Sequence, residues 1–265
     1  MHKSPSPSSA SRRRRTRIPA RGQLTLEQAR KPHGRGGWRP GAGRPRGRKT
    51  VSHDARERFA ARHPLHVTMR AAREVANLRR GSIAAIVRGA VRASCSATFR
   101  VVELNVLANH LHLIVEAAGA PALARGMKGL AVRLARRINR ALGRRGSLFA
   151  TRYHARPLRT PREVRNALRY VLLNARHHAA ERGARLARGW LDPYSSAPWF
   201  TGWSPGPRSA RGLDCHGPPP DWLRYLRSLP RPTAEPTTWL LTIGWRRHGL
   251  LDPDDVPGSA PARLD

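Results

Sequence analysis

Two short stretches of the chain carry residue types that do chemistry in company. In LANHLHLIVEA, residues 107–117, side chains of an extended chain alternate, so His110 and His112 share one face while Leu111, Leu113 and Val115 take the other. In ALRYVLLNARHH, residues 167–178, helical spacing puts Tyr170 and Asn174 one turn apart on a stripe with His177, whereas Val164, Leu168, Val171 and Ala175 fall on a different face suited to a core. Two imidazoles and an amide oxygen offer three ligands to a divalent ion, with positions left for a phosphate oxygen and water. A phenol one turn from the amide would stand beside that ion. The set then describes a phosphodiester transesterification site in which Tyr170 is the nucleophile. Taken singly, the residues have plainer readings. A His-x-His pair arises by chance in a chain with 12 histidines, and a buried tyrosine with a satisfied hydroxyl is an ordinary core residue.

The elements that must position these groups are legible between His63 and Gly183. His66 to Met69 reads as a first strand, and Ile83, Ile86, Val87, Ala90 and Val91 recur at helical spacing. Phe99 to Ala108 reads as a second strand, Asn109 as a turn, and His110 to Glu116 as a third strand. Leu123, Met127, Leu130, Leu134, Ile138 and Leu142 then step by three or four along an amphipathic helix that ends at Gly143 or Gly146. Ser147 to Leu158 suggests a fourth strand. Thr160, Pro161 and Glu163 form the sequence of a capping box, predicting a helix that reaches about His178 and stops by Gly183. The order is that of an α+β, ferredoxin-like βαββαβ sheet with one added helix at its C-terminal end.

Charge names the partner class. With 51 Lys and Arg against 16 Asp and Glu, the chain carries a formal +35, which points to a polyanion and foremost to nucleic acid. No 18-residue apolar stretch and no secretory h-region is present, so a membrane is not expected and a cytoplasmic, nucleoid-associated protein is. The cysteines, Cys95 and Cys215, lie too far apart in sequence for a zinc cluster or a disulfide framework. Residues 1–60 form a basic arm, with 15 Lys or Arg and only Glu27 as an acid among the first 50, a composition that cannot bury enough apolar surface to fold alone. Within it, Gly43-Arg44-Pro45-Arg46 resembles an AT-hook, which lays Arg-Pro along a narrow minor groove; a generic polybasic tail explains it equally well. Between Glu116 and Glu163 there is no acid and there are 12 Lys or Arg. Arg125, Lys128, Arg133, Arg136, Arg137 and Arg140 therefore give the amphipathic helix a single-sign face, read as a phosphate track. Residues 186–265 turn Pro- and Trp-rich, as packing pieces or as a helical appendage. Trp199 and Trp203 there read as small-core residues before base-stacking ones.

The strand pattern in NHLHLIVEA, followed some sixty residues later by a capped helix with Tyr-x-x-x-Asn in RYVLLNAR, is similar to the single-tyrosine transposases of the HUH endonuclease class. Within that class it most resembles the REP-associated tyrosine transposases of bacteria. The resemblance covers Pro64 to Gly183, residues 61–185 being the implied catalytic domain, and includes SLFATRYHARPL. It implies that His110 and His112 bind Mg²⁺ or Mn²⁺ with Asn174 as third ligand, and that Tyr170 forms a 5′-phosphotyrosine link to single-stranded, hairpin-bearing DNA. The active unit would be a monomer or a homodimer. Relatives commonly follow the asparagine with proline; here Ala175 follows Asn174, which lets the helix run on. Tyr153 is the rival nucleophile, and its strand position assigns it to packing or to DNA contact. His154, His177 and His178 are expected to face solvent or phosphate, with His177 the one that could assist the metal.

Two other functions compete with this enzyme. One is a non-catalytic nucleic-acid-binding protein descended from a decayed or domesticated transposase, which has no need of His110, His112, Tyr170 and Asn174 together. The other is a hydrolase whose histidines activate water while Tyr170 is structural; it would cleave DNA without a protein–DNA adduct.

Overall fold

Alternation governs the sheet. A computed structural model describes residues 58–75, 77–205 and 221–258, all of them in one unit spanning Thr50–Asp265. The expected AT-hook with Arg44 and Arg46, and Cys215, lie outside the described residues. Four strands, β1 (Leu65–Arg70), β2 (Phe99–Val106), β3 (His110–Ala117) and β4 (His154–Pro157), form one sheet in the order β2-β3-β1-β4. Every neighbouring pair is antiparallel. The α+β class expected from the sequence is the class observed.

Two helices cover one face of this sheet. Helix α1 (Gly81–Arg92) and helix α2 (Ala120–Ala141) pack Ile83, Val87, Leu123, Met127, Leu130 and Leu134 against Leu65, Val67, Met69, Leu111, Leu113 and Val115 of the strands. The odd-numbered residues of β1 and β3 thus point to α1 and α2. The even-numbered residues, His66 and Thr68 on β1 and His112 and Ile114 on β3, point the other way. There helix α3 (Pro161–Glu181) builds a second core, with Val164, Leu168, Val171 and Leu172 against Val102 and Ile114.

Local chemistry fixes the limits of α3. Thr160 accepts from the Glu163 backbone N–H at 3.2 Å while Glu163 accepts from the Thr160 N–H at 3.1 Å, the reciprocal capping box that the sequence predicts. At the far end Gly183, with φ of +70°, supplies the left-handed residue that closes the helix.

Three expectations are corrected. The fourth strand is only His154–Pro157; Ser147 to Tyr153 is irregular, with Phe149 making a single bridge to Ala71, because Gly146 (φ +92°) and the turn after it bring the chain to the sheet late. The second strand stops at Val106, since Leu107 to Asn109 are spent on the turn into β3. Helix α3 does run on past Ala175, but it bends: Leu173 has φ −110° and ψ 15°, outside the α region.

The C-terminal residues pack onto the domain. Helix α4 (Asp221–Ser228), the short helix α5 (Trp239–Thr242) and the 3₁₀ turn Gly244–His248 contribute Leu223, Leu240, Leu241 and Trp245 to the α3 core, and Leu251 follows from the segment after them. Trp203 packs there as well, donating its indole N–H to the Ala197 carbonyl at 3.2 Å, and the Trp199 indole N–H reaches the Leu229 carbonyl at 3.3 Å. Both indoles serve the fold, as expected. Two buried sheet carboxylates hold this segment. Glu116 accepts from the Thr237 and Thr238 backbone N–H groups, and Glu103 accepts from Ser196 Oγ at 2.5 Å and faces Arg231. A bulge between Val101 and Glu103 turns Glu103 out of the α1/α2 core towards these partners.

Candidate functional site

His110 and His112 open β3 on its α3-facing side, and their Nε2 atoms lie 3.1 Å apart. Two imidazole nitrogens at that distance share either a proton or a cation. Ligands about 2.1 Å from an ion at right angles are themselves about 3 Å apart, so the spacing fits two adjacent positions of an octahedral divalent ion.

The remaining ring nitrogens are anchored. His110 Nδ1 lies 2.6 Å from Asn109 Oδ1, an acceptor, which makes Nδ1 the protonated nitrogen and leaves the Nε2 lone pair facing His112. His112 Nδ1 is 3.2 Å from Thr68 Oγ1 and 3.1 Å from His66 Nε2. Partners of this kind orient imidazole ligands in metal sites. The strand register explains them, because Thr68 sits directly opposite His112 and His66 is the next residue of β1 on the same face.

All three imidazoles are held neutral. Burial, followed by the neighbouring His66, His110 and His178, pushes His112 down to about 3. Burial, with Arg156 and His154, pushes His66 down to about 4. Burial and the nearby His178 and Arg70 lower His110. Neutral imidazole is the form that ligates a metal.

Helix α3 brings Tyr170 over this cluster. Its ring stands edge-on to His112, with centroids 5.1 Å apart, and to His66 at 5.8 Å. The bend at Leu173 separates Tyr170 from Asn174, so the two are not related by regular helical geometry. Asn105 of β2, fully buried and opposite His112 in the β2–β3 register, donates its Nδ2–H to the Val171 carbonyl at 2.7 Å and ties the helix to the sheet just before the bend. Asn174 lies beyond it, fully buried, and neither its Oδ1 nor its Nδ2 has a hydrogen-bond partner among the described residues. A buried amide left without partners costs free energy unless something else satisfies it, and a cation would satisfy its oxygen. His110 and His112 converge, whereas Asn174 makes no hydrogen bond to either among the described residues; by donor type the three suit Mg²⁺ or, with two imidazoles, Mn²⁺.

Other predicted residues fall elsewhere. Tyr153 packs against the α1/α2 core, the face of the sheet opposite to His112. Arg125, Lys128, Arg133, Arg136, Arg137 and Arg140 are all exposed on α2, also on that opposite side, and no carboxylate pairs with them among the described residues. Arg133 reaches Ser94 Oγ at 3.4 Å. His154 is exposed. His177 Nδ1 meets the Pro257 carbonyl at 2.9 Å and its ring lies 6.4 Å from that of Tyr170.

Sequence reasoning passed over His66, Thr68, Asn105 and Asn109. The alternation in LHVTMR was a usable signal, since it put His66 and Thr68 on the polar face of β1; which strand neighbours β3 was not readable from it. It also passed over the segment from Gly249 to Gly258, which lies along α3. Arg165 donates to the Gly249 and Leu250 carbonyls, Arg169 to Asp255 and the Val256 carbonyl, and Arg176 to Asp254.

Neither a family model nor a curated protein matches the chain. A solved structure of a REP-associated tyrosine transposase bound to a REP hairpin is similar over 50% of this chain and 75% of that one, at 14% identity and a TM-score of 0.39. The likeness is a weak one, and the chemistry of the site rests on its own geometry.

Proposed function

We propose that the chain is a metal-dependent single-strand DNA endonuclease and strand transferase of the HUH type, a transposase or a domesticated relative, that cuts and rejoins hairpin-flanked DNA through Tyr170. One observation carries this reading: a helix-borne phenol ring stands 5.1 Å from the ring of His112, whose Nε2 converges with that of His110 at 3.1 Å. The strand order β2-β3-β1-β4, reached through β1-α1-β2 and β3-α2-β4, supports a ferredoxin-like domain of the split β-α-β kind. The formal charge of +35 supports a nucleic-acid substrate.

In this account His110, His112 and Asn174 hold Mg²⁺ or Mn²⁺. The ion supplies charge stabilisation at the scissile phosphate. Asn109, Thr68 and His66 fix the two imidazoles. Tyr170 Oη attacks phosphorus; the bond formed is Oη–P, the bond broken is P–O3′, and the departing 3′ oxygen gains a proton as the phenol gives one up. The product is a 5′-phosphotyrosine that a 3′-hydroxyl reverses in strand transfer. The exposed arginines of α2, beyond the sheet from Tyr170, would hold the flanking hairpin by its phosphates.

Incubation with a labelled single-stranded hairpin and Mn²⁺, followed by denaturing electrophoresis, tests the proposal. A covalent adduct lost in Tyr170→Phe is expected. Free cleaved ends without an adduct would identify a water-using nuclease instead, and binding without cleavage a non-catalytic DNA-binding protein.

A further inference from the structure

A second cluster of donors lies beyond Tyr170 on α3. His177, His178 and Glu181 occupy one turn near the end of α3, and one ligand atom from each lies within 4.8 Å of the other two. Glu181 sits between the imidazoles, with Oε2 2.7 Å from His178 Nδ1 and Oε1 3.2 Å from His177 Nε2. All three are open to solvent, with side-chain exposures of 29%, 37% and 55%, so an ion could reach them.

The orientation of His177 is the second observation. Its Nδ1 is 2.9 Å from the Pro257 carbonyl, which accepts only, so Nδ1 carries a proton and the ring is held with Nε2 directed at the cluster. A backbone carbonyl behind one ring nitrogen is the arrangement that fixes a ligating imidazole. Because the carbonyl comes from the segment docked on Arg165, Arg169 and Arg176, the outer support of the cluster is supplied by a part of the chain remote in sequence.

We infer that His177, His178 and Glu181 form a binding site for one divalent transition-metal ion of the Zn²⁺, Co²⁺ or Ni²⁺ class, separate from the His110/His112 pair. Two imidazoles and one carboxylate are the donor set such ions take, and three protein ligands leave positions for water or a phosphate oxygen. On binding, the ion replaces the contacts that Glu181 now makes with the two rings. Its charge then lies near Tyr170, whose ring is 6.4 Å from that of His177.

Co²⁺ titration of the full-length protein, followed by the visible absorption of bound Co²⁺ and by calorimetry, decides the matter without reference to DNA cleavage. The full-length double variant His110→Ala/His112→Ala is expected to keep one equivalent of Co²⁺, and Glu181→Gln or His178→Ala in that background to weaken it at least tenfold. Should the double variant fail to fold, Glu181→Gln alone removes one equivalent from the otherwise unaltered protein, since Glu181 is exposed and takes no part in the core. Co²⁺ binding unchanged by both Glu181→Gln and His178→Ala would overturn the assignment. Loss of adduct formation with this binding intact would count against Tyr170 chemistry and not against the site.

Discussion

Asn105 Nδ2 donates to the Val171 carbonyl at 2.7 Å, so a buried amide on β2 grips α3 one residue after Tyr170 and two before the bend at Leu173. The bend leaves the helical ladder incomplete, and Asn105 meets a carbonyl beside the gap. Replacing Asn105 with Ala should cost about 1–3 kcal/mol of stability and slow adduct formation more than it weakens DNA binding. Chemical denaturation and single-turnover kinetics check both; a variant of unaltered rate would mean that the grip serves the fold alone.

His66 sets His112 without touching the reacting atoms. Outer partners of this kind are worth about 10–100-fold in metal affinity, so His66→Ala should weaken Mn²⁺ binding by that factor while leaving single-stranded DNA affinity in the absence of metal within about twofold. Mn²⁺ titration followed by electron paramagnetic resonance reads the first quantity and a filter-binding assay the second. A merely structural His66 would move both together or neither.

Glu103 gives a pH signature. Burial raises its carboxyl to about 7, against the opposing pull of Arg231 and Ser196, so the folded state favours the protonated form. The stabilisation is fully present below about 4.5, the unfolded value, and is lost as pH rises through about 7. The stability of the wild type minus that of Glu103→Gln should therefore fall by up to about 3 kcal/mol between those limits. The difference is the quantity to measure, because the depressed imidazoles of His66 and His112 act the other way: their contribution is present above about 6.5 and is lost as pH falls. A difference that stays flat with pH would mean that Glu103 titrates alike in the folded and unfolded chains.

The α2 track has a salt signature. If Arg133, Arg136, Arg137 and Arg140 each neutralise a phosphate, changing all four to Gln should reduce the slope of log affinity against log salt by about 3 on single-stranded DNA, at about 0.7 per contact. Because these residues lie across the sheet from Tyr170, an adduct formed at saturating DNA should be unaffected. An unchanged slope would remove the track from the interface.

How much of this was readable in the residues follows from the range of the signals. Period-two alternation exposed the two faces of β1 and β3, and Thr160, Pro161 and Glu163 marked the start of α3, because both signals are local. The convergence of His66 on His112 depends on β1 lying beside β3, a pairing across 46 residues that no local pattern encodes. The bend at Leu173 escaped for the same reason: its support, Asn105, lies 66 residues from the Val171 carbonyl it holds. The segment from Gly249 to Gly258 fell within the Pro- and Trp-rich residues 186–265, read only as packing pieces or a helical appendage, because its partners Arg165, Arg169 and Arg176 lie 78 to 87 residues away.

The central claim is that Tyr170 attacks DNA, and peptide mapping of the covalent adduct tests it most directly. Trypsin cutting after Arg169 and Arg176 isolates Tyr170, and cutting after Arg152 and Arg159 isolates Tyr153, the Arg156–Pro157 bond being resistant. After nuclease trimming, mass spectrometry should find the nucleotide remnant on the 170–176 peptide. A remnant on the 153–159 peptide, or cleaved DNA with no modified peptide at all, would contradict the account.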